Sequence, residues 1–304
     1  MDSTNHTTKR KKKFFRRNRL GIAAFVVLLI GVVCGGLQYS GFVSRTVYKE
    51  SVSHLTEVFH QSNNLLSELA DKNLTYLHMW SEYLANTSDE SEIREYIDKA
   101  QEEAGFLSFY FLSADGNYKM TTGETGYLGL QENLEDEIRQ GKDLITNVAL
   151  PGKSQMLVFV SPRAYGTYQG FEYDAIAIAY ENTDIVKVLD ISAFQGNAKS
   201  YVVHSDGRVV IDHSNESWGT VYNFFGVLRE HSDISEEIIL ELSDQFKEGR
   251  TDAMLVKLDG KDYYLVYEKS KIQDWTLLGL VPTDIVNTSM NTLQFCTMLL
   301  VGAV

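Results

Sequence analysis

An arginine and a set of tyrosines are the residues whose types and spacing could hold a ligand. Arg163 has no acid in the nine residues before it, and Glu172 stands nine after it. The chain carries 28 Lys+Arg against 41 Asp+Glu. In so acidic a setting an isolated guanidinium suits a bidentate contact to an anionic group. Tyr110 and Tyr118 fall on one predicted hairpin, and Tyr127 in the loop after it. Tyr165 and Tyr168 follow Arg163 in a turn-rich link, and Tyr180 ends the next strand. Each joins an apolar ring to a polar tip, as the walls of small-molecule sites do. Asp174 or Glu181 could receive an ammonium group. These nine residues form the predicted site, and a small polar or anionic metabolite is the predicted ligand. The competing reading is plain: Arg163 pairs with a surface acid, and the tyrosines are ordinary strand residues. Tyr110 also alternates with Phe109 and Phe111, so one set must face a core.

Catalytic patterns are missing from the sequence. It has no His-Glu-x-x-His, Walker A, Gly-x-Gly-x-x-Gly or Gly-x-Ser-x-Gly. No enzyme, metal site or cofactor is expected. His204 and His213 flank an Asp206-Gly207 turn and read as solvent-exposed, and His54 and His60 are badly spaced for a metal. Glu102-Glu103, Glu135-Asp136-Glu137 and Glu236-Glu237 read as solvated helix faces. The two cysteines, Cys34 and Cys296, leave residues 45–284 with no thiol chemistry.

The elements that must position these groups are visible as patterns. From Ser51 to Ala85, Leu55, Phe59, Leu66, Leu69, Leu77, Trp80 and Leu84 recur at helical spacing, without Pro or Gly. Ser62 and Ser67 read as lying on its exposed side. A shorter helix is predicted over 91–104, and others at 133–140 and 235–246. Strands are predicted over 106–112, 118–122, 156–160 and 175–180, with a helical turn at 185–189. The pattern then restarts at Ser200–Ile211, where a second Asp-Gly turn stands 91 residues after Asp115-Gly116. Strands over 253–258, 263–268 and 275–281 close the series. This predicts an α+β chain: one long helix carrying two modules, each an antiparallel sheet with helices.

Charge is distributed unevenly. Eight basic residues crowd the first twenty positions, Leu20 to Ser44 is uncharged, and so is Ile285 to Val304. The layout predicts a cytoplasmic basic tip (1–19), a transmembrane helix (20–44), an extracellular body (45–284) and the start of a second, truncated transmembrane helix (285–304). Within the body the long helix takes 45–85, a distal module 86–190 and a proximal module 191–284. The acidic body argues against nucleic-acid binding. An apolar stripe on so long a helix suggests a homodimer, and the flanking segments imply a lipid bilayer as partner.

The layout resembles the double Cache (dCache) sensor domains of bacterial transmembrane signalling proteins, in a style similar to those of Firmicutes. Phe109–Tyr118, Ser200–Ile211, Tyr263–Tyr267 and Trp275–Pro282 carry the resemblance. It implies two PAS-like modules, ligand binding in the distal one, and an output such as a histidine kinase or diguanylate cyclase. The amino-acid-binding pattern of that family, with its Arg-x-Trp-Tyr stretch, has no match here; the corresponding place reads Gly126-Tyr127-Leu128-Gly129-Leu130. A surface structural or adhesive protein with a single anchor is the alternative.

Overall fold

The structure is a computed structural model that describes residues 4–128, 134–149, 155–182, 185, 198–213 and 221–286. It divides into two compact units, Met1–Ser53 with Val286–Val304, and His54–Ile285.

In the first unit the chain runs as the early part of helix α1 (Thr4–Asn86). The expectation of flanking transmembrane helices is corrected here. No helix among the described residues is long and apolar enough to cross a membrane. Gly31, Gly35, Gly36, Gln38, Ser40 and Gly41 dilute the apolar run after Ile30. Of the predicted second segment, 287–304 lies outside the described residues.

In the second unit α1 buries one stripe. Leu55, Phe59, Leu66, Ala70, Leu77, Trp80 and Leu84 are all buried, in steps of three, four and seven. Ser62 and Ser67, expected on the exposed side, are buried too. Their hydroxyls donate back to Val58 O (3.2 Å) and Asn63 O (2.9 Å), which removes the cost of hiding them. Helix α2 (Glu90–Ala104) follows, capped by the Asp89 carboxylate on Ser91 N and Glu92 N and closed by Gly105 in the left-handed region.

The distal sheet contains β1 (Ser108–Leu112), β2 (Asn117–Met120), β3 (Thr125–Tyr127), β4 (Leu144–Ala149), β5 (Gln155–Ser161) and β8 (Ala175–Glu181). Its order is β3-β2-β1-β8-β5-β4, antiparallel throughout. Helix α3 (Leu134–Arg139) precedes β4, and a small ribbon of β6 (Gly166–Tyr168) and β7 (Phe171–Tyr173) precedes β8.

The proximal sheet contains β9 (Lys199–Val203), β10 (Val209–His213), β11 (Asp252–Leu258), β12 (Lys261–Lys269) and β13 (Thr276–Pro282), in the order β10-β9-β13-β12-β11. Helices α4 (Phe224–His231) and α5 (Glu236–Glu248) lie between β10 and β11 in the chain, and α6 (Thr283–Val286) follows β13. Both early Asp-Gly turns form hairpins, with Gly116 and Gly207 at φ +87° and +84°. α1 comes so close to β13 that a Cβ on Gly279 would stand 1.7 Å from the Phe59 ring.

Sequence reading missed β3, β4, β6, β7 and α4. The first four are short, polar or on sheet edges, where alternation is too brief to register.

Candidate ligand-binding site

The pleat of the distal sheet sorts the predicted site residues onto two faces. Tyr110 stands opposite Ala177 in the β1–β8 register, and Ala177 opposite Val160 in the β8–β5 register. Tyr110, Tyr118, Met156, Val158, Val160, Ala175, Ala177 and Ala179 therefore share one face, joined by Val148, Leu128 and Ile138 in one apolar cluster. The Tyr110 and Tyr118 rings meet edge to face at 4.9 Å. Burial raises both phenols, and Glu124 beside Tyr118 adds to the rise there. Three alanines in a row on the central strand floor this face.

Tyr168 and Tyr180 belong to the opposite face, which α1 and α2 cover. Tyr168 stacks on Phe111 at 4.2 Å. Tyr180 donates to Asn73 Oδ1 on α1 (2.8 Å), and burial pushes its phenol up to about 12. The idea that all these tyrosines line one wall is corrected by strand parity, since Tyr180 is one residue out of step with the alanines. Tyr127 and Tyr165 are exposed. Tyr127 lies over Gly116, where an added Cβ would meet its ring at 2.9 Å.

Arg163 does not join Tyr110 and Tyr118. Its Nη2 stands 3.9 Å from Asp143 Oδ2. The same carboxylate receives Ser161 Oγ (2.9 Å) and binds His78 Nε2 on α1 (2.8 Å). This is the competing reading, an arginine facing a surface acid, and exposure makes the ion pair weak. Asp174 accepts a hydrogen bond from Ala114 N (2.8 Å) at the end of the alanine strand. Glu181 is half-buried at the other end of that strand, opposite Met156.

The equivalent face of the proximal sheet is filled. Phe224, Phe225 and Leu228 of α4 and Ile239, Leu242 and Phe246 of α5 pack onto Tyr201, Leu265, Tyr267 and Leu278.

The histidines differ from expectation. His204, expected in solvent, is mostly buried, and its Nδ1 lies 2.7 Å from Asp274 Oδ1. His60 reaches Glu268 of β12 at 2.7 Å. The His213 side chain lies outside the described residues. Among the described residues no group of three or more His, Cys, Asp or Glu side chains could hold a metal.

No family model and no curated protein matches the chain. Solved structures do. The sensory domain of the Campylobacter jejuni chemoreceptor Tlp3, with isoleucine bound, matches at TM-score 0.53 and 10% identity, over 81% of this chain and 98% of that one. The ligand-binding domain of the Pseudomonas aeruginosa amino-acid chemoreceptor PctB, in complex with L-Arg, matches at TM-score 0.57 and 14% identity, over 78% and 97%. The extracellular domain of mmHK1S-Z2, described as a histidine kinase, matches at TM-score 0.52 and 16% identity, over 79% and 99%. At such identities the likeness is one of fold: the chain has the two-module architecture of chemoreceptor and histidine-kinase sensory domains.

Proposed function

We propose that the body is an extracytoplasmic sensing domain of a bacterial signalling protein, and that it takes a small metabolite on the Tyr110–Tyr118 face of the distal sheet. The asymmetry between the modules carries this reading. The proximal face is packed by aromatic side chains from two helices, whereas the distal face, also buried, sets three alanines and two tyrosines under the smaller aliphatic side chains of Leu128 and Ile138. Small side chains in the centre of a sheet leave depth for a ligand, and tyrosine rims give it both contact area and hydrogen bonds. The solved relatives named above hold isoleucine and L-Arg, so amino acids join short carboxylates, purines and amines as ligands to test. A polar or anionic ligand remains the proposed class. Glu181, in step with the alanines at one end of their strand, is placed to meet an amine, whereas Asp174, one residue out of step with Ala175, holds Ala114 N. Arg163, Tyr165, Tyr168 and Tyr180 drop out of the proposed contact set.

The output belongs to the same proposal: a histidine kinase or diguanylate cyclase elsewhere in the parent protein, with a second copy of the chain and a lipid bilayer as partners. The Firmicutes style of the sequence gains no support from relatives found in Campylobacter and Pseudomonas.

Thermal-shift and calorimetric titration of the purified chain against those four ligand classes tests the site. A true ligand raises the melting temperature by mass action. Ala177→Leu, which fills the floor, should abolish the shift, and Tyr118→Ala should weaken binding about tenfold or more. A ligand whose affinity is untouched by both changes would place the site elsewhere.

A further inference from the structure

Two sheet edges meet where the modules join. β4 is an outer strand of the distal sheet and β10 an outer strand of the proximal one. They belong to separate sheets, and side chains bridge them. The Gln273 amide, in the β12–β13 loop, donates to Ile145 O (3.1 Å) and accepts from Ile145 N (2.9 Å) when its two ends are oriented to satisfy both. Asn147 Nδ2 donates to Val209 O at 3.4 Å, beside the register shift between β9 and β10. A primary amide offers one face of donor and acceptor, as a peptide does. Gln273 thus occupies the position that a neighbouring strand would take along an open edge.

The loop is held for this task. Gln273 has φ +46°, a left-handed conformation that side chains disfavour. The next residue, Asp274, is anchored by His204 Nδ1 and by Ser205 N and Oγ. β4 is also anchored at its start, where Asp143 binds His78 of α1. Within three residues β4 passes from Ile145, in the clip, to Val148, in the apolar cluster of Tyr110, Tyr118 and the alanines. One short strand therefore touches both the proposed ligand face and the proximal module.

We infer that the Gln273–Ile145 amide clip is the positioning contact through which a shift of the distal sheet reaches the proximal module. Movement of Val148 carries β4 with it. The clip passes that movement to the β12–β13 loop, and so to β13, the last strand of the domain. The inference rests on the sensing proposal for its purpose, but its test needs no ligand.

The test is residue-resolved hydrogen exchange on the full chain, arranged as a double-mutant cycle. Gln273→Gly removes the amide but tolerates the positive φ, so the loop keeps its shape. It should speed exchange at the Ile145 amide about tenfold or more. Ala177→Val adds bulk on the distal face and should change exchange several-fold at 205–211 and 270–276. In the double variant that proximal response should vanish, while the distal response stays. If Ala177→Val does not fold, Val148→Ala perturbs the same strand by removing bulk. The inference is overturned if Ile145 keeps its protection in Gln273→Gly. It is equally overturned if the distal change gives no proximal response with Gln273 present, or the same response without it. A chain that binds none of the screened ligands would instead sink the sensing proposal and leave these exchange results standing.

Discussion

His204 Nδ1 and Asp274 Oδ1 lie 2.7 Å apart, joining the β9–β10 turn to the β12–β13 loop across seventy residues of sequence. The hydrogen bond from His204 is the largest cause that holds the Asp274 carboxyl well below its usual value of 3.8, with Ser205 N and Oγ assisting. A depressed carboxyl stabilises the fold above its unfolded-state value, and that contribution fades as pH falls through and below it. Asp274→Asn should therefore cost about 1 kcal/mol at neutral pH, a modest figure because Asp274 is half-exposed and screened. The deficit should shrink below pH 3.8. Urea midpoints of the two proteins from pH 2.5 to 7 check this; a constant difference across the range would refute it.

Gly279 is a point of close approach between α1 and the proximal sheet, since an added Cβ would enter the Phe59 ring at 1.7 Å. Phe59 is fully buried, and the strand around Gly279 is locked between β9 and β12. Neither side can yield cheaply. Gly279→Ala should destabilise the chain by about 3 kcal/mol, at the upper end of overpacking effects. Phe59→Leu on that background should recover part of the loss, read as the denaturation midpoint. A midpoint within error of the parent would contradict the close approach.

The buried stripe of α1 and the hairpins were legible because their signals are local, whereas the flanking transmembrane helices read from the uncharged runs are not borne out among the described residues. Leu55, Phe59, Leu66 and Leu77 mark the buried stripe of α1 by spacing alone, and the Asp-Gly pairs mark their hairpins. The site was less so. Tyr110 and Tyr180 look alike in sequence, and only the register of Tyr110 against Ala177 puts them on opposite faces. β4 escaped notice because Thr146 and Asn147 interrupt its apolar residues, and an edge strand needs few of them. The His60–Glu268 and Gln273–Ile145 contacts join residues 208 and 128 positions apart, and no spacing rule reaches that far.

The proposed dimerisation along α1 must use the side that the body leaves open. Leu65 and Met79 are the large exposed apolar residues there, two heptads apart, with Gln61, Glu68, Lys72, Thr75 and Glu82 around them. Leu65→Cys should crosslink between copies in the full chain under mild oxidation, and Ser62→Cys, buried under the helix, should not. Crosslinking at neither Leu65→Cys nor Met79→Cys, together with a monomeric mass in solution, would remove the dimer.

Tyr180 and Tyr118 should separate fold from binding. The Tyr180 hydroxyl donates to Asn73 Oδ1 at 2.8 Å and lies 3.3 Å from Ala104 O, all beneath α1 and α2. Tyr180→Phe leaves buried acceptors without that donor, which should cost about 1–3 kcal/mol of stability. It faces away from the alanine floor, so any ligand found on that floor should bind the variant with unchanged affinity. Tyr118 is the reverse case. Its ring packs against β3, where a Cβ on Gly126 would come within 2.6 Å of its hydroxyl, and the hydroxyl is near Glu124. Tyr118→Phe keeps the ring and should cost about 1 kcal/mol of stability, the worth of one hydrogen bond. A ligand that hydrogen-bonds to this phenol should lose roughly fivefold to tenfold in affinity. Paired measurements of the denaturation midpoint and of ligand affinity on both variants decide the matter. Loss of binding in Tyr180→Phe with Tyr118→Phe unaffected would put the site on the helix-covered face and invert the assignment.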